Sequence, residues 1–301
     1  MLSLILILVT ALFFSGIIAR TKSILAGYKG PGVLQPIHDY IRLFRKGTVY
    51  SRTTGPVFRI APTIYFSAVL FSALLIPFGN SKGLLSFEGD FVVFAYLLAV
   101  GKFFMILMAL DTGSSFEGMG AGREALFSLL AEPAFFVLTG SFALLTGYTS
   151  FYDIYAAFHF TGPVSYALAV LAGFVLMMIV AIENSRMPID DPKTHLELTM
   201  VHEVMILDNS GFDLGLIMSA ATLKFAVYGA LIANLFMNHS LPYYILLPVF
   251  IIIQVLLAVI IGCIESFGVR FRMNHNAQFV FTLSSVSLLI FFGVLLMLGK
   301  L

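Results

Sequence analysis

Apolar residues run along this chain in long unbroken stretches, not in the alternating or amphipathic patterns of a soluble domain. Eight stretches, at about 2–19, 57–78, 91–110, 124–147, 163–182, 214–237, 243–264 and 277–299, approach the roughly 20 residues a helix needs to cross a bilayer. The pattern predicts an all-α polytopic protein, a single integral membrane domain over 1–301 without internal repeats. Polar loops are expected at about 20–56, 111–123, 183–213 and 265–276. The second stretch carries Arg59 and Pro62 at its start, and the fourth contains Glu132-Pro133, where the missing N–H of proline predicts a kink. The first has no Lys or Arg before Arg20 and no convincing cleavage site, so an uncleaved helix is expected instead of a signal peptide.

The polar positions are distributed unevenly. Arg20, Lys22, Lys29, Arg42, Arg45, Lys46, Arg52 and Arg59 all lie between the first two spans. With Arg123, Arg186, Lys193, Arg270 and Arg272 they place 13 of the 17 Lys and Arg on one side. The opposite side holds Lys82 and Lys300, and Lys102 and Lys224 fall inside spans. Basic loops stay cytoplasmic, so the long loops are expected inside and both termini outside. The inner face is then where something is expected to dock or to enter.

Composition agrees: 59% of residues are hydrophobic and 11% charged, against about a quarter charged in a soluble domain. With no Trp, interfacial anchoring falls to the 12 Tyr, and a net charge of +1 argues against a nucleic-acid partner. The one cysteine, Cys263, allows neither a disulfide framework nor an iron–sulfur cluster held by this chain alone. No cofactor is expected in this subunit.

Chemistry is concentrated at 183–203, where nine charged or titratable residues follow directly on an apolar run. Carboxylates beside hydrocarbon are costly, and ion or proton handling is the usual reason to keep them. Asp191-Pro192 is a good helix start. The spacing predicts a helix from Pro192 to about Leu207, stopped at Gly211, with Glu197 and Asp208 on one face and Glu203 on another. The plain alternative is a solvated amphipathic helix lying on the membrane. His195 and His202 are seven residues apart, about 10.5 Å along a helix, so a zinc site with Glu197 and Glu203 is not supported. Within spans, Glu132 and Lys224 sit about nine residues deep and are candidates to pair inside the bundle. Glu183 and Glu265 lie near span ends, where Glu265 can equally snorkel to the interface.

Three strings carry a family resemblance. They are Gly30-Pro31-Gly32-Val33-Leu34-Gln35-Pro36-Ile37-His38-Asp39 running on to Arg42-Leu43-Phe44-Arg45-Lys46, Gly120-Ala121-Gly122-Arg123-Glu124-Ala125 through Leu130-Ala131-Glu132, and Glu183-Asn184-Ser185-Arg186-Met187-Pro188-Ile189-Asp190. In order and on one side of the membrane, they resemble the cytoplasmic loops of complex I subunit 1, and the match covers essentially the whole chain. The resemblance implies a non-catalytic subunit joining a peripheral electron-transfer arm to an ion-pumping membrane arm. It implies that Glu132, Glu183, Glu197 and Asp208 match the acidic channel positions, Asp39 the acid of the first loop, and Arg123 and Arg186 the basic neighbours. Asp190, Glu203 and Lys224 complete the proton-path candidates, and Arg42, Arg45, Lys193, His195 and His202 the charge partners and docking loops.

Where that family carries further acids, this chain has Lys193, His195 and Gly47. The run Thr194 to Glu203 is instead similar to the membrane subunit of formate hydrogenlyase and related energy-converting [NiFe] hydrogenases. That resemblance implies a prokaryotic plasma membrane and, as partners, hydrogenase large and small subunits, iron–sulfur proteins and antiporter-like membrane subunits. A quinone-chamber subunit of complex I and a stand-alone transporter are the alternatives. The physics suits coupling: desolvation raises a carboxylate pKa, a neighbouring cation lowers it, and histidines near pKa 6.5 can relay protons.

Overall fold

The computed structural model describes residues 1–158, 162–190, 200–239, 241–269 and 273–299. Among them are eleven helices: α1 (Leu2–Leu25), α2 (Gln35–Phe44), α3 (Pro56–Leu75), α4 (Asp90–Asp111), α5 (Ser115–Thr146), α6 (Phe151–Ala157), α7 (Pro163–Glu183), α8 (His202–Met205), α9 (Gly211–Phe236), α10 (Tyr243–Phe267) and α11 (Met273–Met297). Eight are long and apolar enough to span a membrane, one for each predicted stretch. With no water in the hydrocarbon core to satisfy free backbone groups, the helix is the form such runs adopt.

The spans alternate in direction, which gathers the long loops at one end of the bundle, here the loop end. α9 is the central helix, packed by α1, α2, α3, α7 and α10, and its apolar window is 83% buried. α11 lies against α5 and α7.

Local chemistry sets the helix ends. α3 begins at Pro56, a residue suited to the first helical position. Its free N–H groups are met from another helix: Asp111 Oδ2 accepts from Gly55 N at 2.8 Å and Phe58 N at 3.1 Å. α5 has 32 residues, about 48 Å at 1.5 Å per residue, longer than a bilayer core. Residues 115–123, expected as loop, are therefore its first turns, and Glu117, Gly120 and Ala121 in them are buried. Pro133 is carried inside α5 without ending it.

Two further expectations change. Met200 and Val201 are not helical and α8 is a single turn at His202–Met205, so the described part of the Pro192–Leu207 helix is broken; Pro192 to Thr199 lie outside the described residues. Gly211 begins α9 instead of stopping a helix, with φ +54°. A Cβ there would run into Gly47 O, so the close approach of the first loop requires glycine.

Candidate functional site

Four helices converge on one buried ionic layer. Lys102 of α4 places Nζ 2.8 Å from Glu183 Oε1 and 3.1 Å from Glu124 Oε1. Lys224 of α9 lies 3.4 Å from Glu183 Oε2 and donates to the Glu183 backbone carbonyl at 2.6 Å. The side chains are 3–9% exposed. Two cations face two carboxylates, so their charges compensate, which is what burial demands. Ser185, in the left-handed region at φ +47° just past the end of α7, donates to Glu124 Oε2 at 3.1 Å. It ties the loop after α7 to the layer.

Glu132 behaves differently from the expectation. It is exposed on the flank of α5, and among the described residues it has no ion pair within 4.0 Å. The Glu132–Lys224 contact that the sequence left possible does not form, because Lys224 is taken by the end of α7. Glu132 instead lines a cavity of about 30 Å³ with Lys102, Glu183, Tyr228, Phe135 and Leu98, wide enough for a water or two. The cavity joins the ionic layer to the side of the bundle at Glu132.

A second ionic group lies nearer the loop end. Glu265 of α10, its side chain 0% exposed, accepts from Lys22 of α1 at 2.8 Å and from Arg186 at 3.1 Å. It does not snorkel, because two cations meet it inside. Arg186 also lies over the Phe225 ring at 5.3 Å, and Phe225 stacks on Phe14 at 5.1 Å, so the loop after α7 is fastened to α1, α9 and α10 together.

The remaining candidates are spread over the loop end. Asp190 is buried and accepts from Val201 N at 3.1 Å and His202 N at 3.3 Å, which makes it the cap of α8 in addition to any wider role. Arg123 donates to Met200 O at 3.0 Å. His202 is half-buried; desolvation pushes its pKa down to about 4, against the pull of Glu124 and with help from Lys224, Lys102 and Arg186. It is held neutral at pH 7. Glu203 is half-buried beside it. Asp208 is exposed, and its backbone N donates to Glu117 Oε1 at 3.4 Å, so it belongs with Glu117 at the start of α5 and not with the ionic layer. Asp39 accepts from Gln35 Nε2 at 3.1 Å, while Arg42 and Arg45 are exposed on and beside α2. Lys193, His195 and Glu197 lie outside the described residues.

Glu124 and Glu117 do not stand out as site residues in the sequence. Glu124 is the first residue of an expected apolar run and Glu117 lies within the expected polar loop before it; the signal for both is the helical continuation from loop into run. Lys102 was visible as a mid-span cation, but its partners were not.

This arrangement defines a class: a polytopic membrane subunit with a compensated ionic layer and a cavity beside it that reaches an exposed glutamate on the flank of the bundle. The NADH dehydrogenase family model matches residues 1–296, and the chain belongs to that family, the complex I subunit 1 family. Hydrogenase-4 component C of Escherichia coli (strain K12) is 32% identical over 238 residues, 78% of this chain and 73% of that protein. Formate hydrogenlyase subunit 4 of the same strain is 31% identical over 212 residues, 70% of this chain and 67% of that protein. An NADH-quinone oxidoreductase subunit of Thermomicrobium roseum is 29% identical over 228 residues, 69% and 66% of the two chains. In solved structures, the fold matches a chain of the membrane-bound sulfane sulfur reductase, an archaeal respiratory membrane complex, with TM-score 0.83 at 20% identity and 97% coverage of both chains.

Proposed function

We propose that this chain is the membrane-anchoring and ion-coupling subunit of an energy-converting [NiFe] hydrogenase complex of the formate hydrogenlyase type, in a prokaryotic plasma membrane with the basic loop end cytoplasmic. The observation that carries the reading is the continuity from Glu183 and Lys102, through the cavity, to Glu132 on the flank. A peripheral arm with [NiFe] hydrogenase and iron–sulfur subunits would dock on α2, the start of α5 and the loop after α7. Redox events there would alter the charge balance at that loop. Through Ser185–Glu124 and Lys224–Glu183 the change would reach the layer, and Glu132 would present it to an antiporter-like neighbour. A compensated layer suits this task because moving one nearby charge unbalances the rest.

Higher identity to the two hydrogenase-type relatives supports the choice of partner, together with Lys193, His195 and Gly47 where complex I carries acids. The test is Glu132→Gln and Glu183→Gln in the intact complex, reconstituted in vesicles. Hydrogen evolution should continue while coupled proton or sodium uptake falls. Undiminished uptake in both variants would sink the assignment. Quinone-dependent turnover by a purified complex without hydrogenase subunits would select the quinone-chamber alternative.

A further inference from the structure

α4 presents ionisable groups at two depths of its buried face. Asp90 begins the helix at the end of the bundle away from the loops, and Lys102 lies twelve residues later, about 18 Å along the axis. Asp90 is 0% exposed and fully engaged: it accepts from Phe151 N at 2.7 Å, Ser150 Oγ at 2.9 Å and Ser86 Oγ at 3.2 Å. Between the two levels α4 offers Phe94 and Leu98, both buried.

Phe94 is enclosed by rings from three other helices. Its ring centroid is 5.7 Å from Phe135 of α5, 5.5 Å from Phe151 of α6 and 5.9 Å from Tyr228 of α9. Phe135 and Tyr228 close the circle on each other at 6.4 Å, with their planes at 89°. All four are between 0% and 4% exposed. Two of these rings, Phe135 and Tyr228, also line the cavity beside Lys102 and Glu183, while its lining includes neither Phe94 nor Asp90. The cavity wall thus includes members of the packed ring group as well as Glu132. Apolar constrictions of this kind bar ions by excluding water, and close-packed rings leave no water-sized gaps.

We propose that Phe94, with Phe135, Phe151 and Tyr228, is an aromatic plug that closes this chain to ions along the bundle axis. The subunit is then an insulated lateral connector, not a channel from one membrane face to the other. The lateral half of this statement rests on the coupling role proposed above; the plug itself does not.

The full-length chain in vesicles, with a pH dye inside and the membrane potential clamped, tests it. After an acid pulse the native chain should leak protons no faster than protein-free vesicles. Phe94→Ala and Phe135→Ala should speed the decay by at least about fivefold, because each opens a gap that water can fill. Phe94→Leu and Tyr228→Phe should stay at baseline. So should Phe142→Ala, a buried aromatic outside the plug, which controls for general loosening. If an alanine variant fails to fold, Phe94→Gln replaces it. A native chain that leaks, or folded Phe94 and Phe135 variants that stay tight, would overturn the plug. Neither outcome touches the coupling assay of Glu132→Gln and Glu183→Gln, so the two ideas fail separately.

Discussion

Lys224 serves Glu183 twice. Its ammonium donates to the Glu183 backbone carbonyl at 2.6 Å and lies 3.4 Å from the same residue's carboxylate. Glu183 ends α7, where the last carbonyls have no intrahelical partner and the helix dipole favours a cation. Lys224 therefore caps one helix from another and neutralises an acid at the same point. Lys102 reaches the other oxygen of that carboxylate at 2.8 Å.

The two lysines should respond differently to removal. Lys102→Met leaves Glu183 and Glu124 short of a counter-charge in a buried site, a loss of about 3–5 kcal/mol for breaking such a pair. Lys102→Met combined with Glu124→Gln should recover part of that loss, because Lys224 then stays paired with Glu183 and still caps α7. Lys224→Met combined with Glu183→Gln should recover less, because the carbonyl stays uncapped. Thermal or denaturant unfolding of the purified chain in detergent measures both cycles; equal recovery would refute the double role.

Glu132→Gln should leave stability within about 0.5 kcal/mol of the native chain, as substitutions at exposed positions usually do. Glu183→Gln should be clearly destabilising. A large stability loss in Glu132→Gln would mean that the residue holds the bundle together and is not merely presented on its flank.

His202 gives a pH signature. Its pKa is depressed to about 4 by burial, so the folded protein prefers the neutral ring while the unfolded chain titrates near 6.5. Between those values the unfolded state binds more protons, so this contribution is present above about pH 6.5 and is lost as pH falls towards 4. The half-buried ring should contribute about 2 kcal/mol. His202→Gln should flatten the slope of stability against pH between 6.5 and 4; an unchanged slope would count against it.

Gly211→Ala should destabilise the start of α9 by more than about 1 kcal/mol, the reverse of a compatible Gly→Ala change. The left-handed φ and the close approach of Gly47 O both oppose a methyl group. Replacing Gly47 by alanine, which meets open space, is the control and should be close to neutral. Melting temperatures of the two variants decide the point.

Sequence alone determined the membrane class and the eight spans, because a run of about 20 apolar residues can do little in lipid except form a helix. Local motifs also marked the loop after Glu183 as the chemical centre and Glu132 and Lys224 as ions that need an explanation. Which charges meet was decided only by the tertiary structure. Lys102 and Glu183 are 81 residues apart and Lys224 and Glu183 are 41 apart, and helix rotation settles whether a mid-span side chain faces a neighbour or the flank. That rotation comes from packing of apolar surface on many helices at once, which no local pattern records. Hence Glu132 and Lys224, matched in depth by the sequence, part company in the fold: one lysine turns inwards to cap α7, and the glutamate is left facing out.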